Sequence, residues 1–296
     1  TLMPAGSPFT ALCQALARGP AADRADLHLH STASDGTYTP TQLVELGRRC
    51  LLRAIALTDH DTLAGLEEAR AAAQGSSLEV IAGVEITTRH AGHEIHLLGY
   101  FVDPSHPGLS GALEGIRLAR RGRFLEMVER LRGLGVSIEV TDADLVPSSL
   151  GRRTLAELLV RQGKASSIRE AFQRWLHDRG RASVPKESLP TPEAIAHVRA
   201  AGGVASWAHP PYDQCVEHLA ELAVAGLGAV EVIFPNAKPS LARQMRERAT
   251  ALGLAISGGS DCHGPGGSGV GSHTVSSDEL ERLRCSVPSS TKSSKA

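Results

Sequence analysis

The sequence predicts an α/β fold of parallel strands wrapped by helices, interrupted midway by a mostly helical insertion. Three observations carry this reading. Short apolar runs of strand length alternate with segments whose apolar residues recur at helical spacing, joined by short links. Polar side chains able to ligate metals stand repeatedly where the apolar runs end. The alternation stops at about Pro104 and resumes after Pro190.

The first strand spans Ala25–His30, with Leu27 and Leu29 interleaved with His28 and His30. Residues two apart on a strand share a face, so both imidazoles point the same way. Asp35 follows in a turn-prone Ser-Asp-Gly. Two imidazoles and a carboxylate meeting where a strand ends can begin a transition-metal site, although His-x-His alone fits an incidental pair equally well. Thr39-Pro40-Thr41-Gln42 supplies a helix cap, a proline for the first turn and a capping box, and Leu43, Leu46, Gly47 and Cys50 follow at helical spacing. The strand Ala54–Thr58 runs into Asp59-His60-Asp61, and a helix over about Thr62–Ala73 leads to a third strand, Leu78–Val84, ending at Glu85. A fourth, His93–Phe101, carries His96 in its middle.

In the interruption, Phe124, Met127, Val128, Leu131 and Leu134 recur at helical spacing, as do Ile168, Ala171, Phe172, Trp175 and Leu176. These stripes read as the core of a small helical unit, with one short strand expected at Val136–Val140. A helix opening at Thr191-Pro192-Glu193 restores the alternation. The strand Gly203–Trp207 then runs into Ala208-His209-Pro210, Ala229–Phe234 follows, and after a helix over about Ser240–Leu252 the strand Leu254–Ser257 runs into Gly258–Gly264. The count is seven strands. The expected organisation is one α/β barrel domain from residues 23–103 and 191–285, capped by a helical insertion over 104–190. A poorly ordered leader over 1–22 and a disordered Ser- and Lys-rich tail over 286–296 complete it.

Composition excludes several classes. Of the 296 residues, 42% are hydrophobic but only 3% aromatic, so Leu, Val, Ile and Ala must build the core. A net charge of −1 argues against a broad basic surface for stable duplex nucleic acid binding, while leaving room for a local basic pocket. Five scattered cysteines without a Cys-x-x-Cys pair suggest neither a disulfide framework nor a thiolate zinc ribbon, and a reducing cytoplasmic setting is expected. No apolar run reaches transmembrane length, so no membrane partner is expected.

The residues collected at the strand ends and on the fourth strand are His28, His30, Asp35, His60, Glu85, His96, His209, Asp261 and His263. Six of the thirteen histidines stand among them, whereas His90, His106, His177, His197, His218 and His273 read as surface residues. Nine ligands exceed what one ion takes, so two or three ions sharing carboxylates are expected. Three divalent ions would bring about +6 and three carboxylates would leave about +3, a balance that suits a phosphate ester better than a neutral amide. Asp59 and Asp61 flank His60 and are expected to orient imidazole rather than bind metal. No Gly-x-Ser-x-Gly elbow is present to support a nucleophilic triad.

The runs Asp-Leu-His-Leu-His-Ser-x-x-Ser-Asp-Gly, Leu-Thr-Asp-His-Asp, Gly-Val-Glu-Ile, His-Leu-Leu-Gly-Tyr, Ala-His-Pro and Gly-Ser-Asp-Cys-His-Gly occur in this order between Asp26 and Gly264. In them the chain resembles the PHP (polymerase and histidinol phosphatase) superfamily, in particular its stand-alone metal-dependent phosphoesterase branch. That branch includes 3′,5′-nucleoside bisphosphate phosphatases and a 5′–3′ exoribonuclease activity. The resemblance covers about Asp26 to Gly271. It implies a distorted seven-stranded (β/α) barrel, a site of two or three Mn, Fe or Zn ions held by the nine residues above, and attack on phosphorus by a metal-bridging hydroxide. The implied substrate is small and phosphorylated, a nucleotide or the 5′ end of a short RNA. Gly151-Arg152 opening a helix resembles the substrate-contacting segment of that branch. Arg120, Arg121, Arg123, Arg152 and Arg153 are therefore substrate candidates, with Arg152 foremost, because its planar fork matches a second phosphate. Other readings are a histidinol-phosphate-type phosphatase, a hydrolase acting on a carbon centre, and a non-enzymatic metal- or nucleotide-binding module.

Overall fold

The computed structural model describes residues 23–145, 150–186 and 188–288. The expected leader and most of the expected tail, residues 289–296, lie outside the described residues. Strands β1 (Arg24–Leu29), β2 (Ala54–Leu57), β3 (Glu79–His90), β4 (His93–Tyr100), β5 (Leu189–Pro190), β6 (Val204–Trp207), β7 (Ala229–Ile233), β8 (Ala255–Gly258) and β9 (Val275–Ser276) form one sheet. Its order is β8-β7-β6-β4-β3-β2-β1-β9, with β5 beside β3. Seven of these are the expected strands, and β5 and β9 add two residues each. Leu29 bridges Cys262, just beyond β8, and His30 N donates to Cys262 O at 3.0 Å, so the two ends of the sheet nearly meet as a barrel.

The helices are α1 (Pro40–Arg49), α2 (Leu66–Ala73), α3 (Pro107–Gly133), α4 (Arg152–Arg161), α5 (Ile168–Ala171), α6 (Thr191–Ala200), α7 (Tyr212–Val224), α8 (Pro239–Ala251) and α9 (Ser277–Cys285). The capping box expected at Thr39 forms, with Thr39 accepting from Gln42 N and Gln42 from Thr39 N. Side chains on the inner face of the sheet, among them Leu27, Leu98 and Tyr100, fill the barrel. A second layer of Ile86, Leu97, Trp207, Val198 and Leu219 packs the sheet against its helices.

Three expectations are corrected. The sheet is not uniformly parallel: β4 runs antiparallel to both β3 and β6. The cause is that β3 does not stop at Glu85 but continues to His90 and turns back through Ala91 and Gly92, whose φ values of 47° and 87° are those of a two-residue hairpin turn. Glu85 therefore lies in mid-strand. The helix expected from Thr62 begins only at Leu66. No strand forms at Val136–Val140, because Ile138 buries its side chain in the insertion while its carbonyl accepts from the Arg132 guanidinium at 3.0 Å.

Helix α3 joins the two parts of the molecule. Leu109 and Leu113 near its start belong to the barrel's core, whereas Phe124, Met127, Val128 and Leu131 pack with Leu155, Leu159, Trp175 and Leu176 in a separate cluster.

Candidate metal centre

The end of β1 and the loop after it bring His28, His30 and Asp35 together, and the remaining candidates arrive on five other segments: His60 after β2, Glu85 on β3, His96 on β4, His209 after β6, and Asp261 with His263 after β8. Glu85 is the hub. Its Oε2 lies 3.4 Å from His28 Nε2, 3.1 Å from His30 Nε2 and 3.2 Å from His60 Nδ1, while Oε1 lies 2.9 Å from His96 Nδ1 and 3.2 Å from His209 Nε2. Asp261 Oδ1 stands 3.5 Å from His28 Nε2 and 3.3 Å from His30 Nε2. Asp35 reaches His263 Nε2 at 3.5 Å and His60 Nε2 at 3.8 Å. All nine sequence candidates thus converge.

Ligand atoms lie within 4.8 Å of one another in four overlapping groups: His28, His30 and Asp261; His28, Glu85 and His209; His60, Glu85 and His96; and His30, Asp35, His60 and His263. Two further observations fit cations there. His28 Nε2 and His30 Nε2 face each other at 3.1 Å, and the buried Nδ1 atoms of His30 and His60 have no hydrogen-bond partner among the described residues. His209 and Asp261 also hold φ at 29° and 50°, conformations a non-glycine residue adopts at a cost and which concentrate at functional sites.

The electrostatics point the same way. Burial opposes charge on His28, yet Glu231 and Glu85 together hold its pKa well above the ordinary imidazole value. Against the same opposition from burial, Asp261 and Glu85 raise His30 to about 9, and Glu85 and Glu94 raise His96 to about 10. Burial alone would raise Glu85, but His60, His96 and His28 drive it well below the usual carboxylate range. The carboxylates thus favour positive charge on His28, His30 and His96, whereas burial takes His60 down to about 3; a carboxylate field of this kind suits divalent ions.

Glu231 was not foreseen. It is fully buried in mid-β7, where Oε1 accepts from His28 Nδ1 at 3.1 Å and Oε2 from His209 N at 2.6 Å. This contact fixes the His28 tautomer with Nε2 turned to the centre. The role expected of Asp59 and Asp61 thus falls to Glu231. Asp59 instead accepts from Ser31 N and Oγ, both at 2.7 Å, and from Ser34 Oγ at 2.6 Å, which shapes the loop carrying Asp35. Asp61 accepts from Thr87 N at 2.9 Å and pairs with Arg120 at 2.7 Å. Asp26, buried below the site, accepts from Ser260 N and Gly271 N at 2.8 Å, while burial raises its pKa to about 6.

Beside the cluster a cavity of about 970 Å³ opens between barrel and insertion. Eight cations line it (Arg89, Arg120, Arg123, Arg130, Arg152, Arg153, Arg179 and Lys186) against two carboxylates, Glu94 and Asp178. Glu94 joins cavity to cluster, standing 3.4 Å from His96 Nε2 and 2.7 Å from Lys186 Nζ. Arg120 and Arg152 lie in this wall, Arg152 pairing with Asp178 at 2.5 Å, but Arg121 is exposed and does not. Helix α4 opens at Arg152 behind the extended Gly151, as the sequence suggested.

The chain is similar to several proteins of known description. The chain is 39% identical over 186 residues to a 5′-3′ exoribonuclease of Haemophilus influenzae, covering 62% of this chain and 68% of that one. It is 32% identical over 259 residues to a 3′,5′-nucleoside bisphosphate phosphatase of Chromobacterium violaceum, covering 82% and 88%. The crystal structure of a candidate metal-dependent phosphoesterase of Bifidobacterium adolescentis superposes with a TM-score of 0.77 at 32% identity, over 89% of this chain and 96% of that one. The PHP domain itself matches residues 26–177, and with these relatives it establishes that the chain belongs to the PHP family.

Proposed function

We propose that this chain, a metal-dependent phosphoesterase, hydrolyses phosphate esters of small nucleotides carrying a second phosphate, such as nucleoside 3′,5′-bisphosphates, or the 5′ ends of short RNAs. One observation carries the reading: a cavity with eight cations shares Glu94 with the imidazole–carboxylate cluster. One phosphate held at the cluster leaves a second within reach of the arginines, whose forks match phosphate oxygens bidentately.

His28, His30, Asp35, His60, Glu85, His96, His209, Asp261 and His263 would hold two or three divalent ions. Imidazole and carboxylate together suit manganese, iron and zinc. When bound, such ions neutralise phosphoryl charge and acidify water. The chain's own residues do the rest. Glu231 holds His28 in one tautomer and ties the backbone of His209 to it. Asp59 locks the loop that presents Asp35, and Arg120, anchored by Asp61, carries charge from the barrel side into the cavity. Counting Glu231 with Asp35, Glu85 and Asp261, three ions would leave about +2, a balance that still favours a phosphate dianion over a neutral amide.

The test is phosphate release by manganese-loaded protein from adenosine 3′,5′-bisphosphate and from a short 5′-phosphorylated RNA. Turnover of either supports the proposal. No turnover of either, with turnover of histidinol phosphate, would transfer the site to that substrate; activity on lactones or amides alone would reject phosphoester chemistry.

A further inference from the structure

We propose that His90, His218 and Glu221 form a second divalent-metal site, with zinc as its ion, on the outside of the barrel. His90 ends β3, while His218 and Glu221 stand one turn apart on α7 and so share a helix face. The sequence read both histidines as surface residues, but they are 9% and 6% exposed. Their rings meet edge-on at 5.1 Å, and His90 Nε2 lies 3.1 Å from Glu221 Oε2. His218 Nε2 is buried without a hydrogen-bond partner among the described residues, Glu217 Oε2 standing 3.8 Å away. One ligand atom from each of the three falls within 4.8 Å of the others, against about 3.3 Å between ligands around a tetrahedral zinc. Glu221, 67% exposed, has the freedom to close that difference and opens an entry path from solvent. The fourth position is left to water, with the His93 ring on the rim, 5.9 Å from that of His218.

This site is separate from the phosphoesterase centre. β3 pairs with β4 in unbroken register from Gly83 to His90. Glu85 and His90 are an odd number of residues apart, so they leave the strand on opposite faces, roughly 16 Å from each other. Two nitrogens and one oxygen form a donor set that zinc accepts readily. An ion there would pin α7 to the tip of the β3–β4 hairpin.

The experiment is equilibrium dialysis of chelator-stripped protein against micromolar zinc, with metal per chain counted by mass spectrometry. Glu221→Gln and His218→Gln should each bind one equivalent fewer than the unchanged protein, and zinc should raise their melting temperatures less. Phosphate release with manganese should be unchanged in both. Glu221 is exposed, so Glu221→Gln decides the matter if His218→Gln fails to fold. Equal zinc counts in Glu221→Gln and the unchanged protein would overturn the proposal and leave His90–Glu221 as an ordinary hydrogen bond.

Discussion

Glu231→Gln keeps the shape of the side chain but removes the charge that His28 Nδ1 and the His209 amide share. Loss of such an outer contact costs roughly 10–100-fold in activity or metal affinity, so kcat/KM with manganese should fall within that range while the melting temperature stays close to that of the unchanged protein. An unchanged rate would show that His28 needs no such support. Arg152→Ala should raise KM for adenosine 3′,5′-bisphosphate by about tenfold or more, the worth of a charge-assisted hydrogen bond, and leave turnover of p-nitrophenyl phosphate unaffected. Asp178→Asn, which releases Arg152 from its ion pair, should do the opposite. Equal effects of Arg152→Ala on both substrates would remove Arg152 from second-phosphate binding. The nine central residues were legible because most stand where apolar runs break off into polar ones. Glu231 was not, since it interrupts Ala-Val-Glu-Val-Ile without ending it; a lone carboxylate inside an apolar strand was the available signal. Arg121 was misplaced because neighbouring arginines on one helix point in different directions.

At the level of elements, the loop after β8 must pass against the backbone of β1. A Cβ on Gly259 would come within 2.3 Å of His28 N and 2.4 Å of His28 Cβ, and neither can yield. Gly259→Ala should therefore destabilise the protein by about 1–3 kcal/mol, on the order of 5 °C in melting temperature, and lower its metal content at the same time. A normal melt with normal metal content would mean that the contact relaxes. Helix starts were readable where local chemistry marks them, as in the Thr39 capping box and the proline in the first turn of α6, but not at Thr62, which lacks such a mark. The run of β3 beyond Glu85 was hidden: the apolar run gives way to polar residues at Glu85, where the strand was expected to end, yet Thr88 is buried and its Oγ1 meets Thr191 Oγ1 at 2.7 Å. The pairing that makes it a strand lies in β4 and β5, not in β3 itself.

For the whole molecule, the carboxylates that surround the imidazoles set how protons and metals compete. His30 and His96, raised to about 9 and about 10, hold protons at pH 7 in the apoprotein, and metal binding must expel them. Zinc or manganese added to apoprotein in weak buffer at pH 7 should acidify the solution, with affinity rising up to about pH 9; binding without proton release would contradict this. Because these folded-state values exceed the ordinary 6.5, their stabilising effect on the apoprotein is complete below that pH and is lost as pH rises through 9 to 10. The melting temperature of apoprotein should therefore drop across that window, and that of metal-loaded protein should drop less. The sequence made the α/β rhythm and the helical insertion plain, but not the barrel's closure, which depends on contacts between residues far apart in the chain. That closure also has a consequence for biosynthesis. β1 is held on one side by β2, but on the other by β9 and Cys262, and the first and last residues of the proposed metal site, His28 and His263, are separated by nearly the whole barrel. At 5–20 residues per second, a ribosome that has just made β1 needs on the order of ten to fifty seconds more to make β9. Throughout that interval the histidines of β1 have only part of their site, so a nascent chain cannot complete its metal centre before translation is almost finished.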